Sequence, residues 1–213
     1  MKLYGYWRSS ASYRVRIALA LKGLEYDYIP VNLLKGEQCT DDYLKINPNA
    51  VVPSLVGKDG IVISQSLAIM EYLEEKAPTP AILPKEPERR AHARQIAATL
   101  ACEAQPFMNL RVQQYLKNDL ALGADAVERW LNQFAGGAML AVEKMVAETG
   151  GDYCVGDAPT IADCCLIPQM FGAQRFGIDT SAMPLLTAIY DRCHENPAFE
   201  KAHPMNQPDA VEA

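Results

Sequence analysis

The sequence predicts a small α/β domain followed by an all-helical one. Three observations carry this reading. Over residues 1–80, short runs of aromatic and branched residues alternate with helical patterns, whereas from Pro84 to Met205 only long helical periodicity remains. Between the two textures lie the proline-rich stretches Ala77-Pro-Thr-Pro80 and Leu83-Pro84-Lys-Glu-Pro87, which read as a linker. The domains are therefore set at residues 1–80 and 86–213.

Taken in order, residues 2–7 and 26–33 are rich in aromatic and branched side chains and predict short strands. Between them, residues 12–23 place Val15, Ala18, Leu19 and Leu21 at helical spacing and end on Gly23, a C-terminal stop. Strand, helix and strand at this spacing make a βαβ unit with parallel, neighbouring strands. Ser54-Leu-Val56 and Ile61-Val-Ile63 form a second pair, joined by the turn Gly57-Lys58-Asp59-Gly60. Ser64-Gln65-Ser66 opens a helix that runs to about Lys76. Beyond the linker, helical periodicity covers residues 88–117, 124–149, 160–175 and 183–196. Pro106 falls inside the first of these and bends it, either as a plain kink or in a way that aims Gln105, Asn109 and Arg111 at a cleft. In Asp157-Ala-Pro-Thr160-Ile-Ala-Asp163, Thr160 and Asp163 match a helix-capping pair, so that carboxylate serves folding.

Composition bounds the function. The chain has 213 residues, 49% apolar and 22% charged, which excludes a disordered, collagenous or membrane-spanning protein. Twenty Lys and Arg against 26 Asp and Glu give a net charge of -6, with no basic run to offset it. This argues against nucleic acid or an anionic membrane as partner. The N-terminal apolar stretch is too short for a signal peptide, and the six cysteines contain no CxxC pair, so a cytoplasmic, reducing setting is expected. Cys164 and Cys165 sit in an apolar run and read as packing thiols. His92, His194 and His203 are too scattered to suggest a metal site.

The chemistry points to three stations. Arg8-Ser9-Ser10-Ala11-Ser12-Tyr13-Arg14-Val15-Arg16 gathers hydroxyls between the first strand and the first helix, where unpaired N–H groups favour an anion. One serine that merely caps the helix is the plainer alternative. No GxSxG elbow or His-acid pair accompanies them, which argues against a serine hydrolase. Val51-Val52-Pro53-Ser54 places a proline before a strand, where a cis bond would turn the preceding peptide outward toward an extended peptide. Gln65-Ser66 starts another helix and suits a carboxylate.

These stations, in this order and followed by the helical domain with its Thr160 and Asp163 motif, resemble a glutathione transferase with a thioredoxin-like first domain. The run from Ser9 to Leu19, with Asn32-Leu33, Gln65-Ser66-Leu67-Ala68-Ile69, Gln105-Pro106 and Gln174-Arg175-Phe176, resembles the zeta class over essentially the whole chain. That class includes isomerases of maleylacetoacetate and maleylpyruvate. The resemblance implies glutathione as cofactor, its γ-glutamyl end at Gln65 and Ser66 and its cysteinyl backbone at Val52 before a cis-Pro53. It implies Gln38 on the glycyl side, Gln105 and Asn109 as further contacts, and the sulfur over Ser9 and Ser10. The implied reaction is cis-trans isomerisation of a maleyl keto acid in aromatic catabolism, by thiolate addition, bond rotation and elimination. Ser9, Ser10 and Arg8 are the implied catalytic residues, and Arg8, Arg111 and Arg175 would clamp the dianionic substrate. A homodimer is also implied. The class motif commonly has cysteine where this chain has Ala11, so any role of that thiol is absent. The same stations would serve a broader glutathione transferase or an α-halo acid dehalogenase. A non-catalytic binding module is a third reading, against which the intact stations weigh.

Overall fold

The computed structural model describes residues 1–211. The chain divides into two units. The first contains Met1–Ile82 and the described C-terminal segment from Glu195, and the second is Leu83–His194. The first unit is built from β1 (Lys2–Gly5), α1 (Ser10–Leu21), β2 (Asp27–Pro30), α2 (Asp41–Leu44), β3 (Ser54–Val56), β4 (Val62–Ser64) and α3 (Ser66–Lys76). Its sheet has the order β2-β1-β3-β4. The first two strands are parallel, as the βαβ spacing requires, and β1–β3 and β3–β4 are antiparallel.

Strands β1 and β2 are shorter than the spans predicted for them, residues 2–7 and 26–33, and past β1 the aromatic residues leave the sheet for the core. Tyr6 and Trp7, just past β1, pack with Val31, Tyr43 and Val52 in a buried cluster. Gly5 allows this turn: a Cβ there would stand 3.0 Å from the Tyr28 ring and 3.2 Å from Ser12 Oγ. Helix α1 is buried from Ser12 to Leu19 because α3 and the C-terminal helix Pro197–Ala202 both pack on it. Phe199 of that helix is 1% exposed. The C-terminal segment therefore belongs with the first unit, and the boundary expected for the helical domain, residue 213, is corrected to His194. Lys22 ties down the chain after α3. Its Nζ meets Glu74 Oε2 at 2.6 Å and donates to the carbonyls of Ala77 at 2.7 Å and Pro80 at 3.0 Å.

The second unit contains α4 (Pro87–Ala98), α5 (Gln105–Met108), α6 (Leu110–Gln114), α7 (Ala124–Leu131), α8 (Gly137–Thr149), α9 (Ile161–Phe176) and α10 (Pro184–His194). Wide π-helical turns occupy Thr99–Ala104, Tyr115–Asp119 and Asn132–Gly136. Helix α9 packs against α4 and α10 and is buried without a break from Ile161 to Met170, which explains its apolar character on every side. Cys164 and Cys165 lie within it as buried thiols, and burial raises the Cys164 pKa well above its ordinary value. Its start is fixed as expected. Thr160 Oγ1 accepts the Ala162 N–H at 3.2 Å, and the Asp163 carboxylate returns to the Thr160 N–H at 2.7 Å.

The single long helix expected over residues 88–117 is interrupted. Pro106 lies in the first turn of α5, just after the first wide turn, where its missing N–H is tolerated. The break itself falls at Asn109, whose ψ of 141° leaves the helical region and whose side chain caps α6.

Candidate active site

The sheet register brings the three stations to one end. Tyr4 of β1 pairs with Ser54 of β3, which pairs with Ser64 of β4. The exit of β1 toward Ser9, the entry to β3 from Val52 and Pro53, and the exit of β4 toward Gln65 are therefore neighbours. Arg14 Nη1 donates to Ser66 Oγ at 3.1 Å, linking α1 to the first residue of α3.

Ser9 is the N-cap of α1. Its Oγ accepts the Ser12 N–H at 3.2 Å, its carbonyl accepts the Tyr13 N–H at 2.9 Å, and its own N–H bonds Tyr6 O at 2.9 Å. A serine hydroxyl has two lone pairs and one proton, so capping leaves the O–H available as a donor. Ser10 and Ala11 occupy the first two helical positions, whose N–H groups have no acceptor within the helix. Both are half-exposed. This turn thus presents two N–H donors and a hydroxyl at the positive end of a 12-residue helix. Ser12, by contrast, is fully buried, and its Oγ accepts the Tyr6 N–H at 3.4 Å. Of Arg14 and Arg16, both are buried in the scaffold. Arg8 is half-buried with its guanidinium 4.3 Å from the centre of the Trp7 ring, a cation–π contact.

The Val52–Pro53 peptide is cis, and Val52 precedes the ladder, which starts at Ser54. Two residues that the sequence reading did not single out brace this turn. Tyr43 Oη donates to Val51 O at 2.8 Å and lies 3.2 Å from Ser54 Oγ; Asn47 Nδ2 donates to Val51 O at 2.7 Å. Neither carries a local motif that would reveal the contact. Gln65 has φ 73° and ψ 115° at the N-cap of α3, with its side chain exposed. Left-handed φ in a non-glycine residue costs about 1–3 kcal/mol and clusters at functional sites. Gln38 sits in the 3-10 turn Glu37–Cys39, and its Oε1 is buried without a hydrogen-bond partner among the described residues.

The remaining residues expected at the site, Gln105, Asn109, Arg111 and Arg175, belong to the second unit. Gln105 begins α5 and is half-buried. Asn109 is partly committed to folding, since its Oδ1 accepts the Arg111 N–H at 3.1 Å. Arg111 is exposed on α6. Arg175 is exposed in the last turn of α9, its guanidinium 4.8 Å from the centre of the Phe176 ring. An open groove of about 620 Å³ in this unit is lined by Ala126, Arg129, Trp130, Asn132, Gln133 and Phe134. None of the expected site residues lines it. Phe107 stacks on Phe134 with ring centres 4.8 Å apart, and Trp130 Nε1 donates to Phe107 O at 3.3 Å. The i, i+4 spacing of Trp130 and Phe134 was the available signal for this aromatic wall.

Residues 1–75 match the N-terminal domain of glutathione S-transferases, and residues 123–197 match the C-terminal domain. The chain is 44% identical to a maleylacetoacetate isomerase of Pseudomonas aeruginosa, covering 100% of both. A holo maleylpyruvate isomerase, described as a bacterial zeta-class glutathione S-transferase, superposes with a TM-score of 0.95 at 40% identity, over 99% of this chain and 100% of that one. A maleylacetoacetate isomerase of Methylobacterium extorquens AM1, solved with malonate and glutathione, gives 0.94 at 39% identity over 100% of both chains.

Proposed function

Because the chain belongs to the glutathione S-transferase family, in its zeta class, we propose that it is a glutathione-dependent isomerase converting maleylacetoacetate to fumarylacetoacetate in aromatic catabolism. The observation that carries this reading is the first turn of α1, where Ser9 caps the helix with a lone pair, which leaves its O–H available to donate to an anion. The residues fit glutathione. Donors at Ser9, Ser10 and Ala11 suit its sulfur, the backbone of Val52 before cis-Pro53 suits its peptide, and Gln65 with Ser66 at the start of α3 suits its γ-glutamyl carboxylate. Gln38, Gln105 and Asn109 are assigned to its remaining polar groups.

When bound, glutathione supplies a thiolate that adds to the cis double bond, permits rotation about the resulting single bond, and leaves again to give the trans product. The protein's task begins with the proton. A free thiol of pKa about 8.5 is only a few per cent ionised at neutral pH. Ser9 donates a hydrogen bond to the sulfur, and the helix N-terminus adds its partial positive charge; together they lower that pKa by about one to two units. Ser10 presents a backbone N–H in the same turn. Arg8, Arg111 and Arg175 bind the two substrate carboxylates, for which a guanidinium fork is the matching shape.

No helix among the described residues is long and apolar enough to cross a membrane. We assign the protein to the cytoplasm, as a homodimer without nucleic-acid or membrane partners; sedimentation velocity tests the dimer. The deciding assay follows maleylacetoacetate and maleylpyruvate spectroscopically, with and without glutathione. Glutathione-dependent turnover with preference for maleylacetoacetate is expected. Turnover of neither substrate overturns the reading, and preference for maleylpyruvate reassigns the substrate.

A further inference from the structure

Trp7 lies two residues before Ser9, and the peptides on its two sides are gripped by Asp209, remote in sequence, and by Arg16 of α1. On one side Asp209 Oδ2 accepts the Trp7 N–H at 3.1 Å and the Tyr28 hydroxyl at 3.3 Å. On the other, Arg16 Nη2 donates to Trp7 O at 3.1 Å while its Nε donates to Ala202 O at 3.0 Å. The Trp7 carbonyl shares its peptide plane with the Arg8 nitrogen, so Arg16 sets the direction in which the chain leaves toward Ser9. Ala210 packs on the cluster that holds Tyr6 and Trp7, which seats Asp209 beside its target.

This clasp is poorly suited to a purely stabilising role. Arg16 is 0% exposed, and burial lowers its pKa. Two polar atoms, Arg16 Nη1 and Asp209 Oδ1, are buried without hydrogen-bond partners among the described residues. Apolar residues of similar shape would often hold such a junction equally well. Hydrogen bonds to both faces of one residue add direction, which apolar packing lacks.

We propose that Asp209 and Arg16 are positioning residues that aim the Arg8-Ser9 turn, with the C-terminal segment acting as a brace for the active-site loop. The inference rests on the reading of Ser9 as the thiolate's hydrogen-bond donor. A misplacement of about 1 Å near reacting atoms costs on the order of a hundredfold in rate.

The test titrates the thiol of enzyme-bound glutathione by its ultraviolet thiolate absorbance in wild type, Ser9→Ala, Asp209→Ala, Asp209→Leu and Asp209→Asn, alongside kcat and glutathione affinity. Asp209→Leu approximates the shape without an acceptor and carries the test if the alanine variant fails to fold. Expected for Asp209→Ala and Asp209→Leu are a thiol pKa raised by about one unit and a kcat lowered about tenfold. Glutathione affinity should stay within about twofold, because Val52 and Gln65 are untouched. Asp209→Asn retains an acceptor for Trp7 N–H and should recover most of both losses. A wild-type thiol pKa in Asp209→Leu, beside a raised one in Ser9→Ala, overturns the positioning role alone. An unchanged pKa in Ser9→Ala overturns the Ser9 assignment and this inference with it.

Discussion

At the scale of single residues, Ser9 and Gln65 obey different physics. In the proposed mechanism Ser9 joins two tasks in one hydroxyl, so alanine there removes both the observed cap and the proposed donor to the sulfur. Loss of a cap costs about 1 kcal/mol and leaves the fold intact. Loss of the donor should cut kcat by about a hundredfold and move the pH–rate profile to the alkaline side, since more base is then needed to ionise the thiol. Wild-type turnover in Ser9→Ala would remove it from the mechanism. Gln65 holds a backbone conformation that favours glycine. Gln65→Gly should relieve the local strain, leaving the ligand-free melting temperature unchanged or raising it by an amount corresponding to up to about 1 kcal/mol. It should also weaken glutathione binding about tenfold by deleting the side chain proposed to contact it. Calorimetry and titration of one variant check both halves; a lower melting temperature with unchanged affinity would make Gln65 a scaffold residue. The residue types at these stations were legible in the sequence. Their geometry was not, because a left-handed φ at Gln65 and a shared hydroxyl at Ser9 leave no trace in a one-dimensional pattern.

Elements were legible to the extent that their signals are local. The βαβ spacing produced the parallel β1–β2 pair, and the Thr160–Asp163 motif produced the observed cap of α9. The interruption at Asn109 was missed because Pro106 three residues earlier is the stronger breaker on paper, yet a proline in a first turn breaks nothing. Arg14 and Arg16 were legible as charges but not as ties, since Ser66 and Ala202 come from distant segments. The cap of α9 illustrates how much one local motif can carry. Asp163 is fully buried and its carboxylate accepts from Cys154 N at 2.8 Å, Thr160 N at 2.7 Å and Thr160 Oγ1 at 3.0 Å. Replacing it by alanine strands three buried donors, each costing about 1 kcal/mol or more, so Asp163→Ala should lose on the order of 3 kcal/mol. Denaturant melts read this directly, and a loss below about 1 kcal/mol would show that the box is dispensable.

Over the whole molecule, the sequence located a change of texture near residue 80 but not the return of the C-terminal segment to the first unit. Long-range packing such as that of Phe199 has no local signature. Net charge bears on the proposed site only through competition. A chain of charge -6 would repel the proposed dianionic substrate, while the arginines assigned to it would attract it at short range. Screening separates contact from field, because charges farther apart than about 8 Å are largely hidden from one another at physiological salt. Arg175 is exposed, so a solvated surface charge with no part in binding is the rival account of it. If Arg175 meets a substrate carboxylate, Arg175→Ala should raise KM about tenfold with kcat within about twofold, the mark of an interaction made equally in ground and transition states. The ratio of wild-type to variant kcat/KM should be largest at low ionic strength and shrink as salt is added, yet stay above one because a fork in contact with its carboxylate is only partly screened. A ratio of one at every salt concentration would place Arg175 outside the site, and a ratio that salt abolishes would reduce its role to long-range attraction.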